Sequence, residues 1–590
     1  MKNESTWDLN VFYETKDIWE DDYNKILNIS KTDWEKLKFY KGKAGNSAVD
    51  LRKLLDSYFD YSIDLERLYT FAHLRHDEDV SDDLFKDAFK RSIALMHQFN
   101  KVSSWVEPEI LQIDKAKIDE YLKCKELSQY KFFLKKLFDK KEHVLSSDKE
   151  EIVALVNKSQ MTPSSAFSAF SDADLQFSNV SDAGGCEHIL TKGTYQVLMK
   201  SDDRVLRKNT FKTLHRSFGN FENTLCELIN GQIQNHIFNK TIRGYNSSLE
   251  ASLKPHNIPV KVYRSLIEAV RDNLSILHKY VELRKNILKI DQVYPWDMTN
   301  SLVNEYDKKF TYEEACEIVV SSVDILGKDY QKTLKDGITR DKWVDIYERK
   351  GKRSGAYSSG CYDSMPYILM NFHGTLNDVL TLAHEAGHSM NSLMSNKAQP
   401  YVDAQYPIFI AEVASTFNEQ LTYEYLIKKA SSHEEKMFII NQQVDGIRAT
   451  FFRQVMFAEF ELKIHELAEQ DIPLTPTLLK EEYRKLNVDY FGPNFVVDEE
   501  LAIEFMRVPH FFYNFYVYQY ATGIAAALSL VEIVKKNGPD KYLKFLSAGG
   551  SDYPIPLLQK VGVDMCKGEA VDALIFTFSK LINELTENYL

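Results

Sequence analysis

The sequence predicts a mainly helical, globular protein. Glycine (23) and proline (15) together make about 6% of the 590 residues, roughly half of average usage, and so few breakers favour helices. Apolar residues recur at spacings of three and four over most of the chain. Hydrophobic residues at 44% and charged residues at 27% exclude wholesale disorder. Residues 367–372 depart from the helical period and predict a strand.

In chain order, residues 15–160 read as amphipathic helices. Leu51, Leu54, Leu55, Tyr58 and Phe59 form one stripe, continued by Leu65, Leu68, Phe71 and Leu74. The charged stretch 135–149 predicts a solvated face or turn. Around 162–165 and 171–185 the composition turns to Ser, Asp and Gly, which predicts a boundary and divides the chain into 1–185 and 186–590. Residues 200–290 are helical again, broken at 254–259 by two prolines. Gly351, Gly355 and Gly360 punctuate a Ser/Tyr-rich segment before the predicted strand, which Pro366 and Gly374 bound. Helical period returns from Leu376 to about Met394, over 405–470 and over most of 495–590, with a turn at Gly549-Gly550.

Net charge is −13, so no basic field is available for nucleic acid. The most apolar stretch, 523–534, is far shorter than the roughly 20 residues of a membrane span. The first eight residues hold no apolar run, so no signal peptide is expected. The six cysteines (124, 186, 226, 316, 361, 566) form no C-x-x-C pair and predict reduced thiols in a cytoplasmic protein.

The chemistry concentrates in His384-Glu385-Ala386-Gly387-His388. Histidines at i and i+4 share one helical face, where both can reach one zinc ion, and Glu385 stands beside a metal-bound water as a general base. Val379, Leu380, Leu382 and Ala383 predict a buried helix, in which two histidines and a glutamate need a partner. Thr375 to Asp378 reads as a capping box. Glu412, on an apolar helix, is the candidate third ligand, and Glu419, two turns on, is either a carboxylate orienting a ligating histidine or a surface acid. A dense run of Phe and Tyr follows His510. In it Tyr513, Tyr516 and Tyr520 fall at 3-4 spacing, as a core stripe or as donors for a developing oxyanion.

These residues resemble the thimet-oligopeptidase-like family of zinc endopeptidases, on the branch of bacterial oligoendopeptidase F. Other stretches share the resemblance, among them Arg243-Gly244-Tyr245, Lys352 to Tyr357 and Phe545 to Pro554. It spans nearly the whole chain. It implies a helical, two-part, clam-like body with a deep channel and a small sheet lining the cleft, a monomer or weak homo-oligomer acting on short unfolded peptides. It implies one zinc per chain on His384, His388 and Glu412, with Glu385 as general base. It also implies that the strand 367–372, with Tyr367 and Asn371, pairs with substrate, and that His510, Tyr513 and Tyr520 contact substrate and transition state, with Tyr516 or Tyr518 sharing that role. Cys361 is expected to be a buried structural thiol. The competing readings are an exopeptidase of similar zinc chemistry and a non-catalytic peptide-binding protein.

Overall fold

The computed structural model describes residues 5–32, 34–303 and 308–589, and helices dominate them as the composition predicts. Of the eight residues behind the signal-peptide expectation, 1–4 lie outside the described residues. The chain packs as two compact units, each assembled from three segments. The first takes Met1–Glu142, Lys308–Tyr425 and Leu530–Gly562, and the second His143–Asp307, Leu426–Ser529 and Val563–Leu590. The expected division at residue 185 therefore falls inside the second unit. Local composition marks a loop there, whereas the cores are closed by contacts between distant segments. In the first unit Phe417 stacks on Tyr542 at 4.0 Å, and the Tyr553 hydroxyl donates to Asp139 at 2.9 Å.

The first unit holds helix α1 (Ala48–Glu78), a three-stranded sheet of β1 (Val344–Asp345), β2 (Tyr357–Ser359) and β3 (Tyr367–Leu369), helix α2 (Leu376–Ala398) and, up to Tyr425, helix α3 (Ile408–Lys429). Ser47 caps α1 by accepting the Asp50 N–H. The predicted stripe from Leu51 to Leu74 is buried, with Tyr58 and Phe59 half-buried against the same core. Strand order is β1-β3-β2, with β1 parallel and β2 antiparallel to β3. The sequence marks only β3, because β1 and β2 are too short to show a period of two. The Ile368 and Met370 N–H groups donate to Trp343 and Asp345, while Tyr367 and Leu369 pair with Ser359 and Tyr357. β3 is thus paired on both sides, and β2 is an edge.

Thr375 and Asp378 form the expected capping box at the start of α2. The Asp378 carboxylate also accepts the His373 N–H at 3.1 Å, which fixes the turn from the sheet into the helix.

In the second unit, helix α4 (Arg453–Glu469) packs its aromatic face against the segment leading to helix α5 (Tyr518–Asn537). Phe460 lies 5.2 Å from Phe505 and 5.4 Å from Phe511, ring to ring. Buried Glu504 accepts hydrogen bonds from Arg453, Arg507 and Tyr483, and these hold its carboxyl well below the usual range against the cost of burial. A two-residue hairpin, Val180–Ser181 with Glu187–His188, lies in the Ser/Asp/Gly-rich stretch read from sequence as a boundary. No helix among the described residues is long and apolar enough to cross a membrane.

Candidate metal centre and aromatic cluster

The 3.6-residue period of α2 brings His384 and His388 together, with their Nε2 atoms 3.1 Å apart. α3 supplies Glu412, whose Oε2 lies 3.7 Å from His384 Nε2. One ligand atom from each of the three residues falls within 4.8 Å of the others, and all three side chains are half-buried. Two ligands sharing one ion at about 2.0–2.2 Å are separated by at most roughly 4 Å, so the 3.1 and 3.7 Å spans fit a shared metal, and the set within 4.8 Å needs only a small inward movement of the side chains to close on it. The donor set fits as well. Two imidazole nitrogens and a carboxylate oxygen converge, and a cation is what relieves three electron-rich atoms at that range.

Gly387 makes this convergence possible. A Cβ there would lie 2.6 Å from the Ala414 carbonyl oxygen and 2.7 Å from Ser415 Cα, so only glycine lets α3 approach this closely. Glu419, two turns along α3 from Glu412, accepts from His384 Nδ1. That bond places the proton on Nδ1 and turns the Nε2 lone pair toward the cluster. Burial opposes charge on His384, but Glu419, Glu385 and Glu412 outweigh it and raise its pKa to about 9, so at neutral pH a metal gains the Nε2 lone pair by displacing a proton from it. Burial and the neighbouring His384 push His388 down to about 3.

Glu385 stands outside the converging set and is buried. Burial pushes its carboxyl up to about 7, against the lowering effect of His384 and of the nearby Ser358 backbone N–H. The register explains why that N–H is turned this way. Ile368 sends its N–H to β1, so Ser358 opposite it turns its own N–H and C=O outward from the edge strand. The Ser358 hydroxyl also meets the Ser389 hydroxyl at 2.8 Å, tying β2 to α2.

The strand expectation needs a correction. β3 is spent on both sides, so a peptide cannot add to it. Tyr367 is a core residue, with its ring against Trp7 and Phe12 and its hydroxyl donating to the Asp8 carbonyl at 3.2 Å. Asn371 donates to the Arg353 and Gly355 carbonyls at 3.1 and 2.8 Å, so it shapes the glycine-punctuated approach to β2. Buried Asp77 of α1 holds the same segment by accepting from Tyr357 and Arg353. Ser358 and Asp77 were not legible in sequence. Cys361 is buried, as expected, and burial pushes its thiol up to about 12.

The second unit gathers the other predicted residues. The His510 ring lies 5.7 Å from Tyr513, 6.0 Å from Tyr516 and 5.9 Å from Tyr520, and the Tyr520 hydroxyl is 3.5 Å from His510 Nε2. The four rings converge without the continuous helix their spacing implies. Pro509–Phe512 is a 3-10 turn, Asn514 and Phe515 both take positive φ, and α5 starts only at Tyr518. Phe511, Phe512 and Phe515 point into the core, while Tyr513 is 51% exposed. Tyr518 is 2% exposed against Tyr263, so of the two alternatives Tyr516 belongs to the cluster and Tyr518 does not.

The model of peptidase family M3 matches residues 197–575, which include both groups of residues. The chain belongs to peptidase family M3. A second model, described as oligopeptidase F, matches residues 109–177 of this M3 chain. Oligopeptidase PepF of Bacillus subtilis is 38% identical over 100% of the chain and 88% of its own length. An oligoendopeptidase F homolog of Borreliella burgdorferi is 37% identical over 98% and 97%. A solved structure from Chlamydophila abortus superposes with a TM-score of 0.93 at 38% identity, covering 100% of this chain and 98% of that one. Oligoendopeptidase-F from Enterococcus faecium does so with a TM-score of 0.75 at 29% identity, over 96% and 99%. The M3 chain is therefore a metallo-oligopeptidase of the oligoendopeptidase F type.

Proposed function

We propose that this enzyme is a zinc oligoendopeptidase that hydrolyses internal bonds of short unfolded peptides. The observation that carries the reading is the convergence of His384, His388 and Glu412 beside a buried, non-converging Glu385. Two histidines and one glutamate suit a catalytic zinc, since three protein ligands leave one position open, whereas a structural zinc is closed by four. When bound, zinc supplies Lewis acidity to a water and to the scissile carbonyl.

The chain's own residues do the rest. β2, with Ser358 facing outward, offers an edge to which an extended peptide can add. Glu385 takes a proton from the attacking water and delivers it to the leaving amine, a task suited to a carboxyl raised toward neutrality. Tyr520, with His510, donates hydrogen bonds to the developing oxyanion, and Tyr513 and Tyr516 bind substrate. The cysteines that the structure describes are all unpaired, which supports a reducing compartment, and we assign the enzyme to the cytoplasm.

An internally quenched, end-blocked peptide of about ten residues tests the reading, the length being chosen to bury most of an extended ligand. Cleavage at an internal bond should disappear with a zinc chelator and return with added zinc. No cleavage by protein holding one equivalent of zinc would move the assignment to an exopeptidase needing a free terminus, or to a binding protein. Tyr520→Phe should lower kcat more than it raises KM. A pure KM effect would reduce Tyr520 to a ground-state contact.

A further inference from the structure

Beneath the aromatic cluster lies a buried polar assembly that the mechanism does not use. Asn514 (φ 49°) and Phe515 (φ 57°) are consecutive residues in the left-handed region, costly for any residue with a Cβ and most of all for a bulky one. Such a turn persists only where its surroundings impose it. Here the Phe515 N–H donates to Glu461 Oε1 at 2.6 Å, and the Ser252 hydroxyl donates to the Asn514 carbonyl at 2.8 Å. Gln232 donates to the Phe512 carbonyl at 3.2 Å. The same Gln232 meets His236, which meets His465 at 3.0 Å, and His465 Nδ1 bonds the Glu461 carbonyl at 2.7 Å. The Phe515 ring packs on His465 at 4.4 Å.

Glu461 is fully buried on α4, and its Oε2 has no hydrogen-bond partner. Burial pushes its carboxyl up to about 8, so at neutral pH it is mainly the uncharged acid. A leucine would fill that core position at less cost. What a leucine lacks is an acceptor for the Phe515 N–H.

We propose that Glu461 is a positioning residue: by accepting the Phe515 N–H it holds the left-handed turn that keeps Phe512 and Phe515 in the core and aims His510, Tyr513 and Tyr516 outward. The inference rests on the role given above to the His510 cluster.

The test uses the full-length, zinc-loaded enzyme. Metal content, thermal midpoint, kcat and KM are measured for Glu461→Gln, Glu461→Leu and Glu461→Leu with Asn514→Gly. Glutamine keeps the acceptor and should stay within about threefold of the parent, while leucine should lower kcat by about tenfold or more with zinc content intact, the scale of displaced reaction geometry. Glycine at 514 relieves the left-handed strain and should recover several-fold of that loss, which repair of a merely structural defect would not do. Leucine at parental kcat, glutamine as damaging as leucine, or no recovery with Asn514→Gly would each overturn the proposal. If the leucine variant does not fold, Glu461→Asp, with the same group one methylene shorter, replaces it, and parental kcat in that variant overturns the proposal too. His510→Ala separates the two readings. Unchanged activity there removes the cluster's role, whereas impaired activity there beside an unimpaired Glu461→Leu removes only the role of Glu461.

Discussion

Glu385→Gln should keep its metal and lose at least about 10²-fold in kcat, the lower end of what general acid–base catalysis contributes. The amide matches the carboxyl in size, so the buried side chain keeps its place beside β2. Since Glu385 lies outside the set formed by His384, His388 and Glu412, the ligands are untouched. What disappears is the ability to accept a proton from water and pass it to the leaving amine. The loss should fall on kcat, with KM nearly unchanged, because an amide can hydrogen-bond the ground state as the acid does. Metal analysis beside steady-state kinetics checks this. Turnover near the parental rate at full metal content would remove Glu385 from the mechanism.

Gly387→Ala should weaken metal binding by about tenfold or more and lower kcat/KM by about 10²-fold, although alanine is the better helix former by about 1 kcal/mol. The added methyl would meet the backbone of α3 at Ala414 and Ser415, not the end of a flexible side chain. The two helices must then separate by several tenths of an ångström. Glu412 and Glu419 ride on α3 and move with it, and a metal site tolerates only about 0.2 Å in its ligand distances. Metal titration of the variant beside the parent checks the effect. Unchanged metal affinity would show that the crossing adjusts elsewhere.

Much of this was legible in the sequence, and the reason differs from residue to residue. His384, His388 and the capping box were readable because a helix fixes which residues meet at i, i+3 and i+4. Glu412 and Glu419 could be nominated because buried acids stand out on an apolar helix, although their approach to α2 depends on Gly387, whose need appears only once the helices cross. The edge role of β2 was not legible. A three-residue strand shows no periodicity, so the substrate-pairing expectation that the family resemblance carried fell on β3, the one run that reads as a strand. Tyr367 illustrates the error, since its side chain serves the core. The tyrosines after His510 were found through a spacing that suggested a helix, yet they converge around a left-handed turn. Glu461 carried no local signal, because an acid inside an apolar helix declares its purpose only through the partner it meets.

The three-segment construction of each unit has a consequence for how the polypeptide is made. The first unit is closed by Leu530–Gly562 and the second by Val563–Leu590, so neither core is complete until these late segments have been made. At about 5–20 residues per second, the stretch between residue 142 and residue 530 occupies the ribosome for on the order of tens of seconds. Until residues 361–369 are made, well inside that interval, α1 and its neighbours wait with part of their apolar face uncovered. A chain of this design cut short before residue 530 yields two unfinished cores instead of one finished and one missing.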